Sequence, residues 1–286
     1  MTLTIAVLAP GAMGSAVGRR LKDHGARVLT SLAGRSQATA ERAAAAGMIA
    51  ASDAEIAAAD IILSIVPPGE AVALAERLAR VIETGPKKPV IVDCNAVNVE
   101  TIETIARLVA PTGAQFVDGA IIGLPPKPGT KGPVFHVSGA AAREVAGLGE
   151  LGLDLHVIDG PVGAASALKM SYAGVNKGFT ALGAAMALAA TRAGAADAML
   201  AELAASQPQM LARLQKALPD MIPKAYRWVA EMREISGFLG PDDPASLIFE
   251  GCARLFEHIA RENETGGKDI ARIMAFAEAG RARADA

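Results

Sequence analysis

Short apolar runs recur along the first half of the chain, each bounded by glycine, proline or charge. Residues 3–9, 27–32, 59–68 and 89–95 are such runs. A strand that is apolar on nearly every residue has both faces covered, as in a parallel sheet between helices. Between the runs, apolar residues return at helical spacing over 15–24, 39–46, 71–82 and 99–109. Shorter strands are predicted at 114–118, 134–138 and 155–158.

The pattern changes at Gly160-Pro161. Beyond it no strand is predicted. Residues 163–193 read as one helix, roughly 45 Å long if unbroken. Pro208, Pro219 and Pro223 read as helix starts or breaks. Asp243-Pro244 reads as an N-cap with proline in the first turn, ahead of Leu247, Ile248, Cys252, Leu255 and Ile259 at helical spacing. Trp228 and Met232, one turn apart, read as core. The predicted fold class is α/β: a Rossmann-type doubly wound sheet over 1–160, then an all-helical domain over 161–286 that opens with the long interdomain helix. The polar tail after Gly280 is expected to fray.

Composition narrows the function. The chain is 51% hydrophobic and only 20% charged, so it has ample material for a core. Its net charge of −2 gives no electrostatic support for nucleic-acid binding. The most apolar long stretch, 179–190, is too short and too small-sided to span a bilayer. The first apolar run ends at Pro10-Gly11 and reads as a strand rather than a leader. Cys94 and Cys252 form no CxxC pair, and the four histidines share no spacing. The expectation is a cytoplasmic protein with reduced thiols, no metal site, and no nucleic-acid or membrane partner.

Two stretches carry chemistry. The first is "LAPGAMGSAVGRRL", residues 8–21, between a strand and a helix. Gly11 would let the backbone approach a pyrophosphate, and Gly14 would let the helix pack on the strand. Ala12 and Met13 would offer their N–H groups at the helix N-terminus. Ala9 stands where a first glycine is usual, which alanine tolerates if its φ stays negative. This context predicts a nicotinamide cofactor. Gly34 fills the place of the acid that binds an NAD ribose. The following Arg35 and Ser36 suit a 2′-phosphate, so NADP is predicted over NAD. Val66 and Pro67 close one strand and Asn95 closes another, at the edge where cofactors bind.

The second stretch is "VGAASALKMSYAGVNKGFTAL", residues 162–182. Lys169 lies in an otherwise apolar helical region, where a lysine is costly to bury unless it is used or paired. Tyr172 and Asn176 share its face. Lys177 is expected to lower the pKa of Lys169 if the two ammonium groups approach, which would suit acid/base work.

Together the motifs resemble the β-hydroxyacid dehydrogenase family, which includes 6-phosphogluconate and 3-hydroxyisobutyrate dehydrogenases, and a less characterised branch of it with a distinct helical C-terminal domain. The matching elements are "GAMG" at 11–14, "DCNA" at 93–96, "FVDGAIIG" at 116–123, and the glycine-to-lysine element from Gly163 to Lys169. The resemblance implies hydride transfer between NADP and a small 3-hydroxy acid or its carbonyl form. Lys169 would be the general acid/base. Tyr172 and Asn176 would assist it, and Ile122, Gly123, Leu124, Asn95 and Asn176 would lie against substrate or nicotinamide. It also implies a homodimer paired through the helical domain.

The departures matter. Ile122 and Leu124 replace the serine and second glycine that the family commonly carries around Gly123. Asn176 replaces the glutamate that decarboxylating members carry, and an amide cannot protonate an enol. Simple dehydrogenation is therefore favoured over oxidative decarboxylation, with Tyr172 or Lys177 as other possible proton sources. Imine reductases share the architecture but typically carry Asp or Tyr at the Lys169 position. A catalytically silent NADP-binding protein is the remaining alternative. The loop "PPKPGTKGP", 125–133, is either mobile beside the substrate or a surface excursion.

Overall fold

Ile5, Ala6, Val7 and Leu8 are all buried, as a strand with helices on both faces requires. The computed structural model describes residues 2–284. The first of its two units runs to Met170 and the second starts at Ser171. In the first, strands and helices alternate as β1 (Thr4–Leu8), α1 (Ala12–Asp23), β2 (Arg27–Thr30), α2 (Gln37–Ala45), β3 (Ile49–Ala50), α3 (Asp53–Ala57), β4 (Ile61–Ser64), α4 (Ala71–Thr84), β5 (Val90–Asp93) and α5 (Val99–Val109). Three strands follow, β6 (Gln115–Ile122), β7 (Val134–Ser138) and β8 (Asp154–Val157).

The sheet order is β3-β2-β1-β4-β5-β6-β7-β8, parallel except where β6 meets β7. Ile5 and Val7 share a core with Val17 and Leu21 of α1. Ala6 and Leu8 share another with Leu74 and Leu78 of α4. The chain winds outward from β1 in one direction and from β4 in the other. A crevice therefore opens beyond the C-terminal ends of these two strands, where ligands bind in such sheets.

Several predicted boundaries move. The 59–68 run yields only β4, because Pro67 and Pro68 offer no ladder N–H and a 3₁₀ turn starts at Pro68. β6 runs on to Ile122 because β7 pairs with its second half. β3 was unpredicted: its two residues are exposed and carry no pattern.

The long helix, α6 (Ala164–Arg192), begins in the first unit. Asp118 of β6 holds its start. This wholly buried carboxylate accepts from Gly163 N (2.9 Å), Ser166 N (3.0 Å), Ser166 Oγ (2.6 Å) and Ser138 Oγ (3.1 Å). Four donors and the positive end of the helix offset the burial of its charge. The opening turns of α6 thus stay with the sheet, and the first unit extends ten residues past the composition change.

The second unit holds the rest of α6 and α7 (Ala196–Ser206), α8 (Pro208–Met221), α9 (Ala225–Leu239), α10 (Ser246–Thr265) and α11 (Lys268–Ala284). α9 packs on α10 and α8 on α11. Met232 and Phe256 are buried in this unit, and Trp228 packs edge-on against Phe256 at 5.2 Å. Pro208 starts α8, but Pro219 sits inside that helix and Pro223 in the turn after it. Asp243 accepts from Ala245 N in a turn ahead of α10. Leu247 and Ile248, two of the residues at helical spacing, are exposed, whereas Cys252 and Ile259 are buried. The tail expected to fray remains helical to Ala284, and the last two residues lie outside the described ones. No helix among the described residues is long and apolar enough to cross a membrane.

Candidate cofactor and proton-transfer site

The glycine loop sits at the mouth of the crevice. Ala9 N donates to Ile65 O (3.2 Å) and Gly11 N to Ala9 O (2.8 Å), which fixes the turn between the ends of β1 and β4. Among the described residues only glycines have positive φ, so Ala9 needs no glycine. Gly14 does: a Cβ there would overlap the Ala9 carbonyl oxygen. A Cβ on Gly11 would meet nothing within 4 Å, so that face of the loop is open. The N-terminus of α1 has no side-chain cap and no acid in its first turn. Its unpaired N–H groups, at Ala12 to Gly14, and its dipole fit a pyrophosphate. These residues fit a dinucleotide.

Gly34 has φ +69°, a left-handed conformation that glycine adopts without strain. Arg35 follows it and donates to Glu70 Oε2 at 3.1 Å. Ser36 caps α2 by accepting from Thr39 N at 3.3 Å.

At the neighbouring strand ends, Asn95 acts as a brace. Its amide donates to Ser64 Oγ (2.8 Å) and Asp93 Oδ2 (2.7 Å), and its Oδ1 accepts from Val66 N (2.6 Å). The side chain predicted to touch cofactor is therefore fully engaged in tying β4 to β5. Its backbone carbonyl remains, 3.5 Å from Lys169 Nζ. Burial pushes the Lys169 ammonium below the usual lysine range, while Cys94, Asp93 and Asp118 pull it up. The shift arises without Lys177, the cause expected from the sequence. Burial raises Asp93 to about 6 despite the hydrogen bonds from Asn95 and Ser64. It pushes the Cys94 thiol up too, which makes it a poor nucleophile.

β6 ends at Ile122, on the edge shared with Asn95. Gly123 follows at φ +131°, where a Cβ would crowd Pro133 at 3.0 Å, and Leu124 is exposed. The loop at 125–133 is held down. Arg20 of α1 donates to the carbonyls of Lys127 (3.0 Å), Thr130 (2.8 Å) and Gly152 (3.2 Å).

In the second unit, Asn176 donates to the Tyr172 carbonyl (2.8 Å) and accepts from Arg213 (2.8 Å). Arg213 also lies 4.4 Å from the Phe179 ring. Lys177 pairs with Glu231 and stands over the Trp228 ring. His258, Glu262 and Asp269 present ligand atoms within 4.8 Å of one another, a cluster that their sequence spacing did not reveal. Asp269 there accepts from Arg192 (2.5 Å) and Arg272 (2.8 Å), so the cluster reads as an ion-pair knot between helices.

Two side chains that hold other residues in place were not singled out in the sequence reading. Asp118 had a signal, since a carboxylate within an apolar strand must find partners. Arg213 had none, because it looks like any charge on a helix face.

The family described as the NAD binding domain of 6-phosphogluconate dehydrogenase matches residues 4–151, and a domain of unknown function, DUF1932, matches residues 190–259. No curated protein matches the chain. The conserved protein MTH1747, of unknown function but with structural similarity to 3-hydroxyacid dehydrogenases, is 28% identical with a TM-score of 0.72, covering 91% of this chain and 99% of its own. A conserved hypothetical protein from Sinorhizobium meliloti 1021 is 24% identical with a TM-score of 0.77, covering 96% and 97%. The 3-hydroxyisobutyrate dehydrogenase of Mycobacterium tuberculosis, solved with L-serine, shares the fold at 17% identity and a TM-score of 0.63, covering 98% and 99%.

Proposed function

The chain belongs to the family of the 6-phosphogluconate dehydrogenase NAD binding domain and is a dehydrogenase or reductase of the β-hydroxyacid type, and from that premise we propose that it uses NADP to interconvert a small 3-hydroxy acid and its carbonyl form. The cofactor, when bound, accepts or returns the hydride. The chain's own residues handle the proton. Lys169 takes the hydroxyl proton during oxidation and returns it during reduction.

One observation carries this reading. Lys169 forms no ion pair among the described residues, and its ammonium donates to the backbone carbonyl of Asn95 at the end of β5. Its burial eases loss of the proton. Asn95 fixes the strand ends beneath it. Ala12, Met13 and Gly14 hold the pyrophosphate. Val66 and Pro67 line the way to the nicotinamide, and Ile122, Gly123 and Leu124 border the substrate. Tyr172 and Asn176 assist Lys169 from the same helix. The amide at 176 has no acidic proton, which supports plain dehydrogenation over decarboxylation. Arg35 and Ser36, following a glycine where an acid would bind a ribose hydroxyl, support NADP over NAD.

The working form is a homodimer. Leu182 and Met186 of α6 and Leu247 and Ile248 of α10 are exposed. An apolar hollow of about 440 Å³ lies on these helices, lined by Phe179, Phe249 and Cys252 among others. An apolar face of this kind is normally covered by a partner.

A panel of 3-hydroxy acids with NADP, followed by NADPH absorbance, tests the reading. Turnover that vanishes in Lys169→Ala is the expected result. NADP binding without turnover of any hydroxy acid or carbonyl form would leave a silent binding protein instead.

A further inference from the structure

Three charged side chains surround a pocket of about 220 Å³ on the cofactor edge of the first unit. Arg35 enters from the turn after β2. Glu70 stands just before α4, and Arg77 lies in its second turn. Val66 and Leu74 supply apolar wall. A narrower recess continues toward Ala9 and Ser31, and both arginines line it as well.

The two guanidinium groups are in different states. Arg35 donates to Glu70 Oε2 at 3.1 Å. Arg77 Nε is closed off from solvent and makes no hydrogen bond, and its ion pair with Asp53 Oδ2 is long, at 3.5 Å. That pair is long and partly exposed, so the other guanidinium donors of Arg77 can take a ligand oxygen. Two guanidinium groups around one recess suit a phosphate monoester, which offers several acceptor oxygens and close to two negative charges.

We propose that Arg77 is the second guanidinium of the site for the adenosine 2′-phosphate, and that Glu70 is the carboxylate which this phosphate displaces from Arg35. The inference rests on the NADP reading and adds the residues that set its strength. Glu70 is the selectivity element. With NAD it keeps its pair with Arg35, and its other oxygen is available to a ribose 2′-hydroxyl. With NADP its charge opposes the phosphate. The Arg35–Glu70 pair is partly exposed, with side chains 35% and 49% accessible, so it yields readily.

Calorimetric Kd values for NADP and NAD, measured on the full chain and on Glu70→Gln, Arg77→Gln and Arg77→Lys, test this. Glu70→Gln should tighten NADP several-fold and leave NAD unchanged or weaker. Arg77→Gln should weaken NADP about ten-fold with NAD unchanged, and Arg77→Lys should recover part of the loss. The unchanged NAD affinity certifies the fold. NADP affinity unmoved by Arg77→Gln, or an NADP-to-NAD ratio unmoved by Glu70→Gln, overturns the inference while leaving the NADP reading intact. A wild-type chain that binds NAD at least as tightly overturns the NADP preference instead. Arg77 then still stands or falls on selective loss of NADP in Arg77→Gln. Should that variant misfold, Glu70→Gln decides alone.

Discussion

The ammonium of Lys169 stands 3.5 Å from the backbone carbonyl of Asn95, the residue whose side chain ties β4 to β5. The proposed proton carrier is thus referenced to the same strand ends that border the cofactor crevice. Lys169→Met should lower kcat on the order of 10³-fold with NADP affinity near normal. Oxidation needs the neutral amine, so kcat in that direction should rise with pH and level off below the usual lysine pKa of 10.5, because burial depresses it. Reduction should show the opposite slope. Lys169→Arg stays protonated throughout, so oxidation by it should remain low at every pH. Wild-type kcat in Lys169→Met would remove the residue from the chemistry.

The glycine loop, most of the strands and the long helix were legible in the sequence because period, punctuation and residue size speak locally. The Asn95 brace was not. Asn95 read as a residue facing the ligand, and only the three-dimensional approach of Ser64, Asp93 and Val66 shows that its amide is already used. Glu70 and Arg77 were hidden for a related reason. In a sequence, a charged side chain looks the same whether it faces water or a ligand. The exposure of Leu247 and Ile248 was not legible either, since helical spacing marks an apolar face without saying what covers it.

Gly11 and Gly14 should separate when each is changed to alanine. At Gly14 the new methyl overlaps the Ala9 carbonyl, so stability and cofactor binding should both fall. At Gly11 it meets nothing in the protein, so the melting temperature should hold while cofactor affinity drops. Normal NADP affinity in Gly11→Ala would mean that the pyrophosphate does not approach there.

The apolar face on α6 and α10 makes a prediction about assembly. Leu182→Lys with Ile248→Glu puts charge on two exposed positions, 62% and 61% accessible. Sedimentation should shift from dimer to monomer, with the circular dichroism of the helices retained. A wild-type chain that sediments as a monomer at micromolar concentration would contradict the proposal directly.

Asp118 couples fold to chemistry through the start of α6. Asp118→Asn keeps the shape but replaces one acceptor oxygen with a donor facing the Gly163 and Ser166 N–H groups or the serine hydroxyls. A loss of about 1–3 kcal/mol in urea unfolding is expected. Because the same turns carry Lys169, kcat should fall more than KM rises. Stability loss with kcat intact would make Asp118 purely structural.

Asp93 adds a pH-dependent contribution to the stability of the first unit. Burial raises it to about 6 in the folded chain, against an ordinary value of 3.8. Below 3.8 both states hold the proton, so the group is neutral toward folding. Between 3.8 and 6 the unfolded chain releases the proton and the folded chain retains it, so stability falls as pH rises, then flattens above 6. The full drop is at most about 3 kcal/mol. Asp93→Asn should flatten that part of the urea-unfolding profile. It should also act on Lys169, whose ammonium the Asp93 charge helps retain. Without that charge the amine deprotonates more easily, and the rise of oxidative kcat moves to lower pH. An unfolding profile that keeps its slope would show that Asp93 does not titrate in this range, and a kcat profile that stays in place would show that the two side chains do not sense each other.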